Sequence, residues 1–346
     1  VKMENKRPYD SKVYMGMALD PIHVGTGGYR LGRVDLTIVR EPATNIPKIP
    51  GTSIAGVARA YTAMQKGKYP DCAGKGGEQG EKHCGKPDCP VCVTYGFSKG
   101  EKGLSFQGLA QFSDARILFF PVATMVGPMW VTSPMRLEAA EVSPGNSQGW
   151  EDLRAALSSE GEEYFLTNSP HVNGDHLNLG WLYLPRSPKN ETPGINPASW
   201  KIDDKTLSHH NINPDILKRI VIVSDKLFSH VVNDNLEVRT SVSIDPLTGA
   251  AESGALFTYE AIPRGTILWF EVVYNNPKLF KVPVKENGDT KQKEIKAEKE
   301  KNAEISWIRN NVEEGLKLFG LLGVGGMGTR GMGRLEVLNI NSQKGE

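Results

Sequence analysis

No run of this sequence approaches the roughly 18 apolar residues that a membrane span needs. The N-terminal stretch "VKMENKRPYDSK" also lacks the apolar core of a secretory signal. A membrane partner is therefore not expected, and a cytoplasmic location is. Excess charge of one sign is missing too: 41 Lys and Arg stand against 40 Asp and Glu, for a net charge of +1. That argues against non-specific coating of nucleic acid, although acidic segments can hide a local basic groove in the sum. The common catalytic signatures are absent as well. There is no Gly-x-x-x-x-Gly-Lys-[Ser/Thr], no Gly-x-Ser-x-Gly, no His-Glu-x-x-His and no His/Asp pattern of a metallophosphatase, which removes the familiar ATPase and hydrolase classes. Cysteine is scarce, and its four occurrences all fall between residues 72 and 92.

What is present suffices for a globular protein with a real core: 346 residues, 39% hydrophobic and 23% charged. A length prior alone gives about two domains. "VYMGMALDPIHVGTGG" (13–28) reads as a strand ending in a glycine loop. In "RVDLTIVRE" (33–41), Val34, Leu36 and Ile38 alternate with Asp35, Thr37 and Val39, which predicts a second, half-buried strand. Pro50-Gly51 makes a turn with Ser53 as N-cap, and Ile54, Val57, Ala58 and Tyr61 follow at helical spacing.

Residues 66–107 form a Gly-, Lys- and Cys-rich insertion, and strand-like runs return over 108–133. A short helix is predicted over 149–157, then an Asn-, Pro- and Gly-rich stretch over 167–205 that reads as a functional arm or mobile loop. A strand over 219–225 leads into a helix, and 236–274 contains strands with turns at Asp245-Pro246 and around Gly249. The run 282–304 is nearly all charge and predicts an exposed hairpin tip or flexible loop. Ile305, Ile308, Val312, Leu316 and Phe319 mark one helix face, and 333–340 closes the chain as a strand.

The segment "GVGGMGTRGMGR" (323–334) contains Gly-x-Gly-x-x-Gly twice. It lies after a helix and before a strand, whereas a dinucleotide fingerprint follows a strand and opens a helix. Two readings stand. One is a loop whose bare backbone N–H groups approach an anion, with Arg330 and Arg334 supplying charge. The other is a helix C-cap followed by a turn.

The cysteine cluster, Cys72, Cys84, Cys89 and Cys92 with His83 beside it, has a C-x2-C knuckle at Cys89-Pro-Val-Cys92. That spacing lets two thiolates meet one tetrahedral ion, and Cys72 with either Cys84 or His83 completes the set. Structural Zn2+ is the expectation, with redox pairing or free thiols as the alternative. Four soft ligands leave no open position for catalysis. His23 stands at a strand end, where it either braces the loop or serves a site. Asp35, within its strand, reads by itself as a solvated face residue.

Three segments together carry a resemblance: "HVGTGGYRLGRVDLTIVRE", "IPGTSIAGVAR" and "LLGVGGMGTRGMGRLEV". They resemble the RAMP superfamily of CRISPR effector proteins, whose hallmark is a glycine-rich segment before the last strand. "VGPMWVTSPMRLE", "IVIVSDKLFSHVV" and "RTSVSIDPLTGAAESGALFTYEAIP" resemble, within it, the repeated backbone subunit of the type III-B (Cmr) complex. The equivalent type III-A (Csm) subunit is the nearest competitor.

The resemblance implies an α+β fold, a modified RNA-recognition-motif (ferredoxin-like) palm. It implies a single domain over 1–346, with a zinc-binding insertion at 66–107, a β-hairpin thumb including 167–205 and a charged flexible loop at 282–304. The implied partners are CRISPR guide RNA, single-stranded target RNA, other copies of the chain and other Cmr subunits. The implied activity is a metal-dependent endoribonuclease (Mg2+ or Mn2+) that leaves 2′,3′-cyclic phosphate and 5′-OH ends.

Carried onto this sequence, the acid tied to cutting falls on Asp35, with His23 of second rank. Guide binding would use Gly325, Gly326, Gly328, Arg330 and Gly331 as one cradle. Ser53, Arg59 and Arg40 would form another; at Ala55, where relatives often carry a basic residue, either Lys48 compensates or that phosphate contact is missing. Met125, Met129 and Trp130 are either apolar wedges near RNA or core. A non-catalytic guide-binding scaffold is the competing function, and a stand-alone guide-processing nuclease or a zinc-ribbon interaction protein fits the motifs less well.

Overall fold

The computed structural model describes residues 7–27, 34–74, 80–99, 103–142, 149–159, 161–188, 202–252, 255–297 and 302–340. Strand β1 (Tyr9–Ala18) is followed by β2 (Lys48–Ile49) and helix α1 (Gly51–Gln65). The insertion contributes α2 (Pro90–Tyr95), β3 (Gly96–Lys99) and β4 (Leu104–Gln107). Next come β5 (Ala110–Phe112), β6 (Ala115–Val122), β7 (Met129–Thr132), α3 (Pro134–Ala139) and α4 (Gly149–Leu157). Two short hairpins follow, β8 (Ser158–Ser159) with β9 (Glu162–Glu163) and β10 (His176–Leu179) with β11 (Leu182–Pro185). After α5 (Asp204–His209) come β12 (Ile220–Ile222), α6 (Asp225–Asp234), β13 (Glu237–Ser241), β14 (Phe257–Ala261) and β15 (Ile267–Asn275). The chain ends through β16 (Lys281–Glu286), β17 (Asp289–Glu294), α7 (Ile305–Lys317), α8 (Phe319–Leu322) and β18 (Leu335–Val337).

The central sheet runs β12-β7-β6-β15-β1-β18, with β2 beside β6 and β5 beside β15. Its four core strands, with α1 between β1 and β6 and α7 between β15 and β18, follow the β-α-β-β-α-β order of a ferredoxin-like palm. "ARILFFPV" and "ILWFEVVYN" are strands because β-branched and aromatic side chains fit a pleated, buried surface. They are apolar almost throughout because both sheet faces are covered. Tyr14, Phe120 and Phe270 pack toward α1 and α7, while Met15, Phe119 and Trp269 pack against residues of α3, α4 and α5. A shift of register against Ile267 and Leu268 sends the neighbours Leu118 and Phe119 into the same core layer, as a bulge allows. Met129 and Trp130 are buried, which fits the core reading, whereas Met125 is exposed. No helix among the described residues is long and apolar enough to cross a membrane.

Helices α1 and α7 approach closely because Gly315 faces α1: a Cβ there would lie 2.5 Å from the Ala58 carbonyl and the Thr62 hydroxyl. The same hydroxyl donates to the Asn311 carbonyl at 2.9 Å. Gly315→Ala is expected to cost about 1–3 kcal/mol through overpacking, read as a shifted midpoint in chemical denaturation.

Two expectations change. Residues 34–40 form no strand; single-residue pairings tie Leu36 to Tyr259, Ile38 to Gly25 and Arg40 to Pro47. Their alternation is real, but their neighbours are separate segments rather than one edge. Ser53 does not cap α1. The N-cap is Pro50, and the helix's first N–H, that of Gly51, is taken by Asp114 Oδ1 at 2.8 Å. Of the two readings of the charged run, the hairpin is the one that forms over 281–294, turning at Asn287-Gly288, both with positive φ. Residues 28–33 of the first glycine turn, 75–79 and 100–102 of the insertion, 189–201 of the arm and 298–301 of the charged run lie outside the described residues.

Candidate nucleic-acid interface

The C-terminal glycine segment is a closed loop. Val324 N–H donates to the Gly333 carbonyl at 2.8 Å, and the Tyr61 hydroxyl holds the Gly323 carbonyl at 2.8 Å. Gly328–Arg330 forms a single 3-10 turn between Met327 and Gly331, both left-handed. Gly325, Gly326, Gly328, Arg330 and Gly331 are exposed. The loop is strapped to the chain after β1: Gly326 N–H donates to the His23 carbonyl at 2.8 Å, and Gly333 N–H to that of Pro21 at 2.9 Å.

Gly325 is required twice over, by φ +88 and by the His23 carbonyl, 2.5 Å from where a Cβ would sit. Gly325→Ala should therefore cost about 1–3 kcal/mol. Gly328→Ala, which meets open space, should stay within about 0.5 kcal/mol of the wild type, with both variants read in a thermal melt.

His23 itself is buried. Its Nδ1 lies 2.6 Å from the Glu260 carbonyl, and its ring stands edge-on to Tyr259 at 6.0 Å. It braces the loop and does not face solvent as an acid or base would. Arg330 lies over the Phe257 ring at 5.6 Å and remains on the surface. Arg334 is engaged with Asp20 through two hydrogen bonds of 2.6 and 2.9 Å.

Asp35 meets β14. Its Oδ2 accepts the Thr258 N–H at 2.7 Å and the Thr258 hydroxyl at 2.9 Å, and its own N–H donates to that hydroxyl at 3.1 Å. The backbone N–H of Thr258, then its hydroxyl, hold the carboxyl below the usual aspartate range. Asp35 is thus a half-buried, ionised carboxylate, fixed through Oδ2. Among the described residues Oδ1 has no hydrogen-bond partner. Tyr259, Ala261 and Met332 form a small core with Leu36, Phe257 and Met327. This core locks together the Asp35 segment, β14 and the glycine loop.

The expected second cradle is not assembled. Arg40 pairs with Glu260 at 2.6 Å and also holds Asn233. Lys48 pairs with Asp114 at 2.6 Å. Ser53 sits half-buried in the first turn of α1. Arg59 points into the insertion, where it donates to the Cys72 carbonyl at 2.8 Å and lies 3.1 Å from His83 Nδ1. Sequence reasoning missed Thr258 and Glu260. The period-two alternation of "FTYEA", which puts both on the face opposite Phe257 and Tyr259, was the available signal.

The insertion brings Cys72, Cys84, Cys89 and Cys92 together, all four Sγ atoms within 4.8 Å of one another. Cys84–Cys92 and Cys72–Cys89 are separated by 3.8 and 4.0 Å. Four thiolates about 2.3 Å from a tetrahedral zinc would stand about 3.8 Å apart, so the set fits a metal ion. Cys84, not His83, completes it. Cys89 also caps α2, accepting the Cys92 N–H at 3.5 Å, as a C-x2-C knuckle does.

A family model described as the RAMP superfamily matches residues 17–336. Over 268 residues the chain is 28% identical to the CRISPR system Cmr endoribonuclease Cmr4 of Pyrococcus furiosus, spanning 75% of this chain and 80% of that protein. It is 32% identical over 99 residues to the CRISPR system Cms endoribonuclease Csm3 of Enterococcus italicus, 28% of this chain and 41% of that protein. Among solved structures, oligomeric Cmr4 from Pyrococcus furiosus superposes with a TM-score of 0.54 at 19% identity, over 96% of this chain and 98% of that one. A chain of an apo type III-B Cmr-beta complex superposes at 0.55 with 17% identity, over 94% and 96%. These structural likenesses concern the fold.

Proposed function

The chain belongs to the RAMP superfamily, and we propose that it is the repeated backbone subunit of a type III-B CRISPR effector complex. In this reading it binds guide RNA and cuts complementary single-stranded target RNA. The observation that carries the proposal is similarity over 80% of the length of a Cmr endoribonuclease. The geometry adds support: one ionised carboxylate, Asp35, is fixed by Thr258 beside an exposed glycine loop.

Both sheet faces are covered, so RNA is met at the strand ends and not across the sheet. A guide of arbitrary sequence is held through its backbone, here by the N–H groups of Gly325–Gly331 with Arg330. Copies of the chain line up along the guide with other Cmr subunits, in the cytoplasm, and the target is cut at about six-nucleotide intervals. The target's 2′ oxygen bonds to the adjacent phosphorus while the P–O5′ bond breaks. The 2′ proton is lost, O5′ takes one up, and 2′,3′-cyclic phosphate and 5′-OH ends result. Asp35 Oδ1 is the chain's reactive-side contact, orienting the 2′-OH, and Thr258 fixes its direction. Mg2+ or Mn2+, were it held by Asp35, would supply charge neutralisation of the reacting phosphate.

The alternative is a non-catalytic guide-binding scaffold of a type III complex, the type III-A kind included. One observation favours it: among the described residues Asp35 belongs to no group of three or more metal-ligating side chains. The test assembles the chain with guide RNA and its partner subunits, adds labelled target RNA with Mg2+ or Mn2+, and maps the product ends. Regular cuts with cyclic phosphate ends establish the nuclease, whereas target binding without cuts leaves the scaffold.

A further inference from the structure

A cleft of about 1090 Å³ lies between the cysteine knuckle and the β16–β17 hairpin, and neither Asp35 nor the glycine loop lines it. Five lysines line it, Lys86, Lys99, Lys285, Lys293 and Lys296, against three carboxylates, Asp88, Glu286 and Glu294. Glu286 is already engaged by Lys291 and Lys293. Lys99 donates to the Cys84 carbonyl at 3.2 Å. Lys86, Lys285 and Lys296 are exposed and have no ion-pair partner among the described residues. Pro87, Leu104, Val284 and Ala297 form an apolar floor.

The walls are tied to each other. Lys296 N–H donates to the Pro87 carbonyl at 3.2 Å. Gly85, in the knuckle, has its Cβ direction closed by the Phe97 ring and the Lys99 stem. Lysines outnumber carboxylates five to three around this partly apolar lining, and that local excess of positive charge favours an entering anion.

We propose that this cleft is a nucleotide-binding site, with a base laid on the apolar floor and phosphate held by Lys86, Lys285 and Lys296. The lysines offer the point-charge contacts by which lysine binds phosphate, and Pro87, Leu104, Val284 and Ala297 in the same lining offer an apolar face on which a base can lie. The nucleotide is either free or one unit of an RNA strand. The site goes beyond the nuclease reading and does not depend on it.

The test uses the full chain, with binding of a fluorescently labelled ATP and of a short labelled oligouridylate measured separately. Lys285 and Lys296 are exposed, so the Lys285→Glu/Lys296→Glu pair should keep the wild-type melting temperature and metal content. The expected result is a loss of affinity of about tenfold or more for at least one probe, with Lys285→Arg/Lys296→Arg close to wild type. If the strand is the ligand, the slope of log K against log salt for the oligonucleotide falls by about 1.4, since each phosphate contact on a single strand contributes about 0.7. If the free nucleotide is the ligand, ATP suffers most and that slope stays. Wild-type affinity of the charge-reversed pair for both probes overturns the proposal. Target cutting by the assembled complex is a separate readout, so failure here and failure of the nuclease reading are distinguishable.

Discussion

If the chain cuts target RNA as proposed, Asp35→Ala should lower target cutting by about 10²- to 10⁴-fold in the assembled complex, the range expected when a positioned side chain is removed from a proton-transfer or phosphoryl-transfer step. Guide and target binding should persist, because the glycine loop's hydrogen bonds run to His23 and Pro21, and the small core that ties it to the Asp35 segment uses Leu36 and not the Asp35 carboxylate. Asp35→Asn separates charge from shape. An amide oxygen can still accept the Thr258 N–H, so the segment keeps its place, but the negative charge is gone and cutting should fall nearly as far as with alanine. Thr258→Val removes the hydroxyl and leaves the backbone N–H, the stronger influence on Asp35, so its loss should be smaller, about tenfold. Cleavage at the wild-type rate by Asp35→Ala would remove Asp35 from the reaction and leave the scaffold.

The pH dependence follows from the same contacts. Because the folded carboxyl lies below its ordinary range, the interaction stabilises the fold above about pH 3.9 and is lost as pH falls through the lower folded value. Between pH 5 and 8 Asp35 stays ionised. Any limb of the cutting rate in that window belongs to another group, and it should survive in the residual activity of Thr258→Val.

Periodicity made α1 and α7 legible, because each carries its own apolar face and packs through it. Strand β1, read over 13–28, runs instead over Tyr9–Ala18, and its last five residues are all buried, so no alternation marks its ends. Context, too, placed the glycine loop between a helix and a strand. What stayed hidden depended on partners far along the chain. Residues 33–41 alternate as a strand would, yet Asp35 binds Thr258, 223 positions away, and no local pattern announces such a neighbour. The N-terminus of α1 is satisfied by Asp114, 63 residues on, so Ser53 was the reasonable local candidate and still not the cap. Arg40, Lys48 and Arg59 show the limit for charge: sequence gives the cation but not the carboxylate or carbonyl already holding it. The 281–294 hairpin was readable in part, since Asn-Gly is a strong turn signal that the surrounding lysines and glutamates obscured.

The cysteines are the opposite case, with motif and geometry agreeing, and the second large effect is expected there. The purified chain should carry one zinc per molecule, and Cys92→Ser should abolish it. Apparent binding energies of structural zinc sites reach about 10–16 kcal/mol, larger than any other single contribution available to a Gly- and Lys-rich insertion. The damage should not stay local. Cys72, Cys89 and Cys92 are buried within the main core, and Cys92 lies on α2, which packs against α1 and α7. Metal loss should therefore lower the melting temperature of the whole palm and open 66–107 to proteolysis. Cys84→Ser should cost less, because Cys84 is only half-buried, and His83→Ala should keep its zinc, because His83 stands outside the four-thiol set and meets Arg59 instead. Arg59→Ala should retain zinc but release it faster to a chelator, since the guanidinium offsets thiolate charge and fixes the Cys72 carbonyl. A chain that purifies without stoichiometric zinc, or whose melting and proteolysis ignore a strong chelator, would make these four thiols an ordinary buried cluster. The palm would then owe its insertion to packing alone.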